Sequence, residues 1–135
     1  MITSFGIIPF RKLKGRWQVL LIQHLNGQHW GFPKGRAEKT ETAQETAVRE
    51  LKEETGLRVH QFLSKEPFTE SYYDPANAKI VGYFPAFVTG VLECQTDEIV
   101  QARWFDLDEA MEKISFPESQ NVFKQARKHL NGYIT

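Results

Sequence analysis

The stretch from Gly35 to Leu57, GRAEKTETAQETAVRELKEETGL, constrains the fold more than any other part of the 135-residue chain. Thr42 and Glu45 have the spacing of a capping box, and Gly56 stands where a left-handed C-terminal cap is needed. The apolar residues between these two ends repeat with helical spacing: Ala43, Ala47, Val48 and Leu51. The sequence therefore predicts an amphipathic helix over residues 43–55.

The C-terminal part of this helix carries an unusual set of charges. Glu50, Glu53 and Glu54 are spaced i, i+3 and i+4, so a helix places all three on one face. Helix carbonyls put about half a negative charge at that end, and each like-charge pair costs a further ~0.2–0.5 kcal/mol. A local rule broken in this way is expected at a functional site, and clustered carboxylates suit Mg²⁺ or Mn²⁺. The alternative is a solvated acidic face in which Arg49 and Lys52 form ion pairs.

The whole stretch fits a longer pattern, G-x5-E-x7-R-E-U-x-E-E-x-G-U, in which U is a bulky aliphatic residue. It matches at every fixed position: Gly35, Glu41, Arg49, Glu50, Leu51, Glu53, Glu54, Gly56 and Leu57. The pattern resembles the Nudix box of the Nudix hydrolases. This resemblance implies an α+β fold, an α/β/α sandwich with a mixed β-sheet between helices, formed by one Nudix domain over residues 1–135. It also implies metal-dependent hydrolysis of a nucleoside diphosphate linked to another group.

The composition suits one soluble domain with a single core, since 41% of the residues are hydrophobic, 25% are charged and the net charge is zero. The charge is uneven, because residues 1–40 carry seven basic and one acidic side chain. A basic segment facing a carboxylate cluster suits the binding of a polyphosphate, although the basic side chains within 11–16 equally suit a soluble hairpin tip.

No apolar run reaches membrane-spanning length, and the first residues lack the basic start of a signal peptide. The single cysteine, Cys94, indicates a buried thiol in a reducing compartment, so a cytoplasmic location is expected.

The remaining pattern predicts a mixed sheet and two further helices. Strands are predicted at 5–10, 17–23, 79–92 and 101–105, with one or two extended pieces within 59–73. Pro9 indicates an edge strand or a bulge, and Gly82 with Pro85 indicates a bulge.

The two further helices are predicted in the C-terminal part of the chain. A short one begins at Asp106 or Asp108, and a long one spans 118–130 and ends at Asn131-Gly132. This order departs from simple βαβ alternation and suits a mixed sheet with helices on both faces.

The resemblance to the Nudix box assigns roles to the acidic residues. The cofactor it implies is Mg²⁺ or Mn²⁺, held by the Gly35 carbonyl and four carboxylates: Glu50, Glu53, Glu54 and Glu98. Glu98 is included because many family members use a glutamate from a loop beyond the box, and the alternative is an exposed loop acid. Glu53 and Glu98 are rival candidates for the general base. Arg49 matches the box arginine that orients a catalytic carboxylate, through an expected ion pair with Glu41 or Glu53.

The residues flanking the box resemble those of the asymmetric dinucleoside tetraphosphate hydrolases. The segment WGFPKG, residues 30–35, resembles the W-x-x-P-K-G entry of that group, although Arg36 replaces its usual histidine. The resemblance and side-chain chemistry give six candidate substrate-binding residues: His29, Lys34 and Lys79 for phosphates, and Tyr73, Tyr83 and Phe116 for stacking on a base. The alternatives are solvated lysines, a histidine without a role and aromatic residues in the core, especially Tyr83.

The sequence is compatible with three functions. The leading one is hydrolysis of diadenosine tetraphosphate to ATP and AMP. An RNA 5′-pyrophosphohydrolase is the nearest rival, although that group tends to have P-Q-G at Pro33-Lys34-Gly35 and the neutral charge indicates no strong RNA surface. A non-catalytic nucleotide sensor is disfavoured because all box glutamates are present.

The expected binding partner is a small dinucleoside polyphosphate or nucleotide. No membrane association is expected, and binding to nucleic acid is expected only if the RNA alternative holds. Monomer and homodimer both stay open.

Overall fold

The computed structural model describes residues 2–72 and 79–134. In chain order its elements are β1 Ser4–Leu13, β2 Arg16–His24, β3 Trp30–Gly31, β4 Lys34–Arg36, α1 Ala43–Thr55, β5 Arg58–Phe62, β6 Phe68–Tyr72, β7 Lys79–Thr89, β8 Ile99–Asp106, α2 Leu107–Lys113 and α3 Pro117–Ile134. All of the strands belong to one mixed sheet.

Strand β1 is the centre of this sheet. It runs parallel to β7 along one edge, and along its other edge it pairs antiparallel with β4 at Ser4–Gly6 and with β2 at Phe10–Leu13. Pro9 falls between these two paired segments, so its missing N–H interrupts neither ladder. The predicted edge strand or bulge at Pro9 is therefore wrong.

The two faces of the sheet bury separate cores, as the predicted sandwich requires. Along β1, Ile7 points toward α1 whereas Ile8 points toward α3, and Leu20 and Leu21 of β2 alternate in the same way. All four side chains have no exposed surface. The period of two along each strand therefore feeds both helical layers. The α/β/α arrangement with a mixed sheet is confirmed.

The box helix α1 has the predicted ends. The Thr42 hydroxyl accepts a hydrogen bond from the Glu45 backbone N–H at 3.1 Å, and the Glu45 carboxylate accepts one from the Thr42 N–H at 2.9 Å. Gly56 has φ of 76° and donates its N–H to the Lys52 carbonyl, as a left-handed cap does. The first and last residues of this helix are thus fixed by contacts that are local in sequence.

Helix α3 is longer than predicted. The expected inner residues Val122, Phe123, Ala126 and Leu130 are buried, but the helix continues through Gly132 to Ile134 instead of ending at Asn131-Gly132. The Tyr133 hydroxyl donates to the Leu63 carbonyl at 3.3 Å, and this tertiary contact stabilises the extra turn.

Two smaller expectations are corrected by the structure. Strand β7 is continuous through Gly82 and Pro85, and its irregular register lies opposite Val59 to Gln61 of β5. Gly82 serves packing instead, because a Cβ there would come within 3.0 Å of Phe5 and Pro67. Cys94 is exposed in a loop, not buried. Among the described helices, none has the length and apolar character that crossing a bilayer requires.

Candidate active site

The acidic end of α1 lies directly over β4. Gly35 of β4 pairs with Phe5 of the central strand, and α1 packs on both strands. A Cβ on Gly35 would overlap the Glu50 carboxylate. The absence of a side chain at Gly35 therefore leaves the space in which Glu50 now lies.

The structure brings the predicted metal ligands together in one cleft of about 680 Å³. Its lining includes all five of them: Gly35, Glu50, Glu53, Glu54 and Glu98. Lys34 and Arg36 supply cations at the same cleft, and Gln95 and Thr96 complete the wall on the side of the Glu98 loop. Sequence reasoning missed Gln95 and Thr96, which carry no distinguishing motif.

Arg49 organises the carboxylates, and it pairs with both predicted partners. Its Nε donates to Glu41 at 2.6 Å, and one terminal nitrogen donates to Glu50 at 3.0 Å and to Glu53 at 3.2 Å. The other terminal nitrogen donates to the Arg36 carbonyl at 3.0 Å. These contacts tie the helix to the loop before it, and the hydrogen bond to Glu41 is the main reason that the pKa of Arg49 is raised.

Glu54 is the least compensated acid of the cleft. It is 7% exposed, and within the part of the chain that the structure describes its Oε2 atom is buried without a hydrogen-bond partner. Burial, followed by the nearby charges of Glu50 and Glu98, raises the pKa of Glu54 to about 8, while Lys34 opposes the shift. Burial likewise raises the pKa of Glu50. The charged form of Glu54 is therefore disfavoured in this cleft unless a further cation balances it.

These residues fit a hard divalent cation. Across residues 2–72 and 79–134, no group of three acidic, histidine or cysteine side chains already converges as a preassembled cation site. Glu50 and Glu53 instead accept hydrogen bonds from Arg49. The Glu54 oxygen that lacks a partner in the described chain, and the other carboxylates of this cleft of about 680 Å³, nevertheless supply the oxygen donors and the space that Mg²⁺ or Mn²⁺ requires.

The Glu98 loop is fixed at several points. The Thr96 hydroxyl accepts the Glu98 N–H at 2.8 Å, and the Glu98 carbonyl accepts the Leu25 N–H at 2.8 Å. Further back, the Glu93 N–H donates to the carbonyl of Thr55, the last residue of α1, at 2.8 Å. The main chain of this exposed loop is therefore anchored both to the box helix and to the turn after β2.

Comparison with known proteins identifies the family to which the chain belongs. Residues 2–126 match the NUDIX domain. The chain belongs to the Nudix family. It is 34% identical over 118 residues to the rat (Rattus norvegicus) bis(5'-nucleosyl)-tetraphosphatase [asymmetrical], which covers 84% of this chain and 80% of that protein. A C. elegans Ap4A hydrolase in a binary complex has the same fold with a TM-score of 0.85 and 25% identity, over 98% of this chain and 99% of that one.

A third relative has a different length. The chain is 30% identical over 108 residues to an 8-oxo-(d)GTP phosphatase of Mycolicibacterium smegmatis, which covers 80% of this chain but 33% of that protein. The chain thus spans about a third of that relative. The predicted Nudix fold and the assignment to the Nudix hydrolases are confirmed.

A second, narrower pocket of this Nudix domain adjoins the carboxylate cleft at Lys34. It has a volume of about 20 Å³, and its lining includes His29, Tyr72 and Phe116. The His29 ring lies 5.0 Å from the Phe116 ring and stacks on His24 at 4.6 Å. Burial lowers the pKa of His24 to about 4, with His29 and Lys34 adding to the shift, and burial followed by Lys34 lowers that of His29. Both histidines are therefore neutral at pH 7.

The aromatic candidates for base stacking differ in their exposure to solvent. Phe116 is 38% exposed and presents a ring surface at this pocket. Tyr83 is 1% exposed and packs edge-on against Phe32, so the prediction that it stacks on a base is wrong. Tyr73 lies outside the described residues. Tyr72 was missed, although Phe68, Glu70 and Tyr72 share one face of β6 by their spacing of two.

Lys79 is the first residue of β7 and is exposed. Two residues later, Val81 pairs with Ser4, which in turn pairs with Arg36 of β4. Lys79 therefore lies at the same end of the sheet as the carboxylate cleft, although it does not line that cleft.

Replacing Gly35 with alanine tests the geometry of the cleft. The new Cβ would overlap the Glu50 carboxylate, which is the end of a flexible side chain and can move at small cost in stability. We expect melting within a few degrees of wild type but a loss of about 10- to 100-fold in metal affinity or activity, as for other changes that displace a ligand. Gly132→Ala is the control, because no heavy atom lies within 4 Å of its added Cβ. Wild-type metal affinity in Gly35→Ala would contradict this geometry.

Proposed function

We propose that this Nudix hydrolase cleaves dinucleoside tetraphosphates asymmetrically, and converts diadenosine tetraphosphate to ATP and AMP in particular. The observation that carries the proposal is the continuity of two pockets at Lys34. One holds the carboxylates, and the other presents Phe116 to solvent. The names of the rat relative and of the C. elegans structure support the same substrate class.

Mg²⁺ or Mn²⁺ is the proposed cofactor. The Gly35 carbonyl and the carboxylates of Glu50, Glu53 and Glu54 would hold it, and Glu98 stands close enough to contribute to the electrostatics of Glu54. When bound, such an ion neutralises phosphate oxygens and lowers the pKa of a coordinated water. Arg49 holds Glu50 and Glu53 on the cleft side of α1, where their carboxylates would serve as ligands.

We propose Glu98 as the general base, ahead of Glu53. Both oxygens of Glu53 lie 3.2–3.3 Å from the same Arg49 nitrogen, so a proton transfer to Glu53 competes with a charge-assisted hydrogen bond. Glu98 stands on an exposed loop whose main chain is anchored through Thr96 and Leu25. Its carboxylate is therefore positioned at the cleft without that competition.

The remaining candidates bind the substrate. Lys34, between the two pockets, and Lys79, at the same end of the sheet, would hold phosphates as point charges. Neutral His29 would donate a hydrogen bond to a phosphate oxygen, and Phe116 would stack on an adenine. The narrow pocket is too small for a whole base, so the base would lie at its mouth against the exposed Phe116 ring.

Product analysis in ¹⁸O-labelled water tests the reaction. If one adenosine is held at Phe116 and the phosphates are counted from that end, diadenosine tetraphosphate gives ATP and AMP in equal amounts. Label entering only one of these two products would identify the attacked phosphorus. Two molecules of ADP as the main product would overturn the asymmetric assignment while leaving the Nudix fold intact.

The same assay compares the alternatives. Triphosphorylated RNA tests the 5′-pyrophosphohydrolase, and an oxidised nucleoside triphosphate tests the activity named for the M. smegmatis relative.

We also propose a cytoplasmic location. The single cysteine is a free, exposed thiol, and a reducing compartment would protect it from oxidation. The small-molecule substrate requires no membrane, and sedimentation would decide between a monomer and a homodimer.

A further inference from the structure

Strand β6 carries a buried carboxylate, Glu70, that has no role in the proposed reaction. Glu70 is 3% exposed and pairs in register with Val81 of β7. Its spacing from Phe68 and Tyr72 places all three side chains toward α3. Burying a carboxylate is costly unless hydrogen bonds replace its water, so the contacts of Glu70 indicate why it is there.

Three hydroxyl groups satisfy this carboxylate. Tyr72 donates to Oε1 at 2.6 Å, Tyr83 donates to the same oxygen at 3.1 Å, and Ser119 donates to Oε2 at 2.8 Å. Burial, and then the proximity of Glu70, raises the pKa of both tyrosines, so their phenols stay protonated donors. We refer to Glu70, Tyr72, Tyr83 and Ser119 as the Glu70 cluster.

The Glu70 cluster reaches the exposed ring of Phe116 through the chain itself. Ser119 lies in the first turn of α3, three residues after Phe116. On the other side, Ser115 and Trp30 exchange two hydrogen bonds, of 2.8 Å and 3.2 Å. Phe116 is therefore held between two anchored residues while 38% of its surface remains open.

The same cluster also positions Tyr72, whose ring contacts that of Phe116. The Tyr72 ring lies 5.9 Å from that of Phe116 at an interplanar angle of 78°, and its hydroxyl is within 3.1 Å of the Ser119 hydroxyl. An aromatic surface that is fixed before binding avoids the entropic cost of ordering it on binding.

We propose that Glu70 is a positioning residue for nucleobase binding, which acts through Ser119 and Tyr72 to hold the Phe116 ring in place. This inference rests on the proposed function only in taking the ligand to be a nucleotide. It assigns Glu70 no contact with the substrate. A purely structural role predicts lost stability without any effect on base recognition.

Two substitutions test the link at different points. Ser119→Ala removes the hydroxyl that joins α3 to Glu70 and leaves both rings intact, and Glu70→Gln removes the charge while keeping the shape. Ser71→Ala is the matched control, because Ser71 lies on the same strand with its side chain exposed. Phe116→Ala gives the effect of losing the stacking ring altogether.

Isothermal titration calorimetry with AMP and with ribose 5-phosphate, both in the presence of Mg²⁺, separates the base from the rest of the ligand. We expect Ser119→Ala and Glu70→Gln to weaken AMP binding by about 3- to 10-fold, less than Phe116→Ala, since a displaced ring keeps part of its stacking energy. Their affinity for ribose 5-phosphate should stay within about twofold of wild type, and Ser71→Ala should change neither ligand.

Three results would overturn the inference. Both substitutions leaving AMP affinity unchanged, with or without a lower melting temperature, would make the Glu70 cluster merely structural. An equal loss for both ligands would show a general distortion of the site. Wild-type protein that binds AMP no better than ribose 5-phosphate would lack the base site altogether. By contrast, base-dependent AMP binding without cleavage of diadenosine tetraphosphate would remove the proposed function and leave this inference standing.

Discussion

Replacing Glu54 with glutamine is expected to lower turnover by about 10²- to 10³-fold, because a bound metal contributes several kcal/mol to phosphoryl chemistry. The metal-free variant should melt no lower than wild type. Glutamine keeps the shape of Glu54 and cannot ionise, so it avoids the cost of burying the charged form of a group whose Oε2 has no partner in the described structure. Lost function without lost stability distinguishes a metal ligand from a core residue.

Thermal melting with and without Mg²⁺ provides a second measurement for the same variant. An ion that binds only the folded chain stabilises it by about 2.7 kcal/mol at a hundredfold excess over its Kd, and Glu54→Gln should lose most of this gain. The control is Glu112→Gln, which alters an exposed carboxylate on α2. Near-wild-type turnover, or an unchanged response to Mg²⁺, would show that Glu54 is not a ligand.

Replacing Glu98 with glutamine is expected to lower kcat by about 10²- to 10⁴-fold, the range associated with removing a general base. Its loop is exposed and anchored by backbone groups that the substitution leaves in place, so the melting temperature should not change. Glu53→Gln should lose activity for a different reason, since Glu53 lines the cleft as a proposed ligand.

Metal titration of the two variants distinguishes a base from a ligand. Excess Mg²⁺ should restore part of the activity of Glu53→Gln and none of that of Glu98→Gln, because a ligand defect weakens an equilibrium that mass action can shift. Asp97→Asn, which alters the neighbouring exposed loop acid, is the control for Glu98. Rescue of Glu98→Gln by metal would make Glu98 a ligand and return the role of base to Glu53.

The box helix was predictable because its determinants are close together in the sequence. The capping box, the left-handed glycine cap and the apolar stripe act within a few residues of one another, and α1 has the predicted bounds. The helical period also brings Glu50, Glu53 and Glu54 onto one face without any tertiary information. Local chemistry therefore sufficed for the part of the site that lies on α1.

The aromatic side of the site was not predictable in the same way. Tyr83 was a candidate for stacking and lines the same pocket as Tyr72, but it is 1% exposed. Both tyrosines lie on the same face of the sheet and donate to Glu70, so the alternation of side chains along a strand does not separate them. The depth at which each ring is buried depends on the pairing of β6 with β7 and on the packing of α3 against β6.

By itself, the sequence determined the acidic helix, its bounds and the family chemistry that its carboxylates imply. Only the tertiary structure decided that Gly35 leaves room for the Glu50 carboxylate, that one oxygen of Glu54 has no partner among the described residues, and that Glu70 anchors the start of α3. The physical reason is the range of the interactions. Helix caps and i, i+4 pairs are fixed by neighbours in the chain, whereas burial and the hydrogen bond between Glu70 and Ser119, 49 positions away, depend on how distant elements pack.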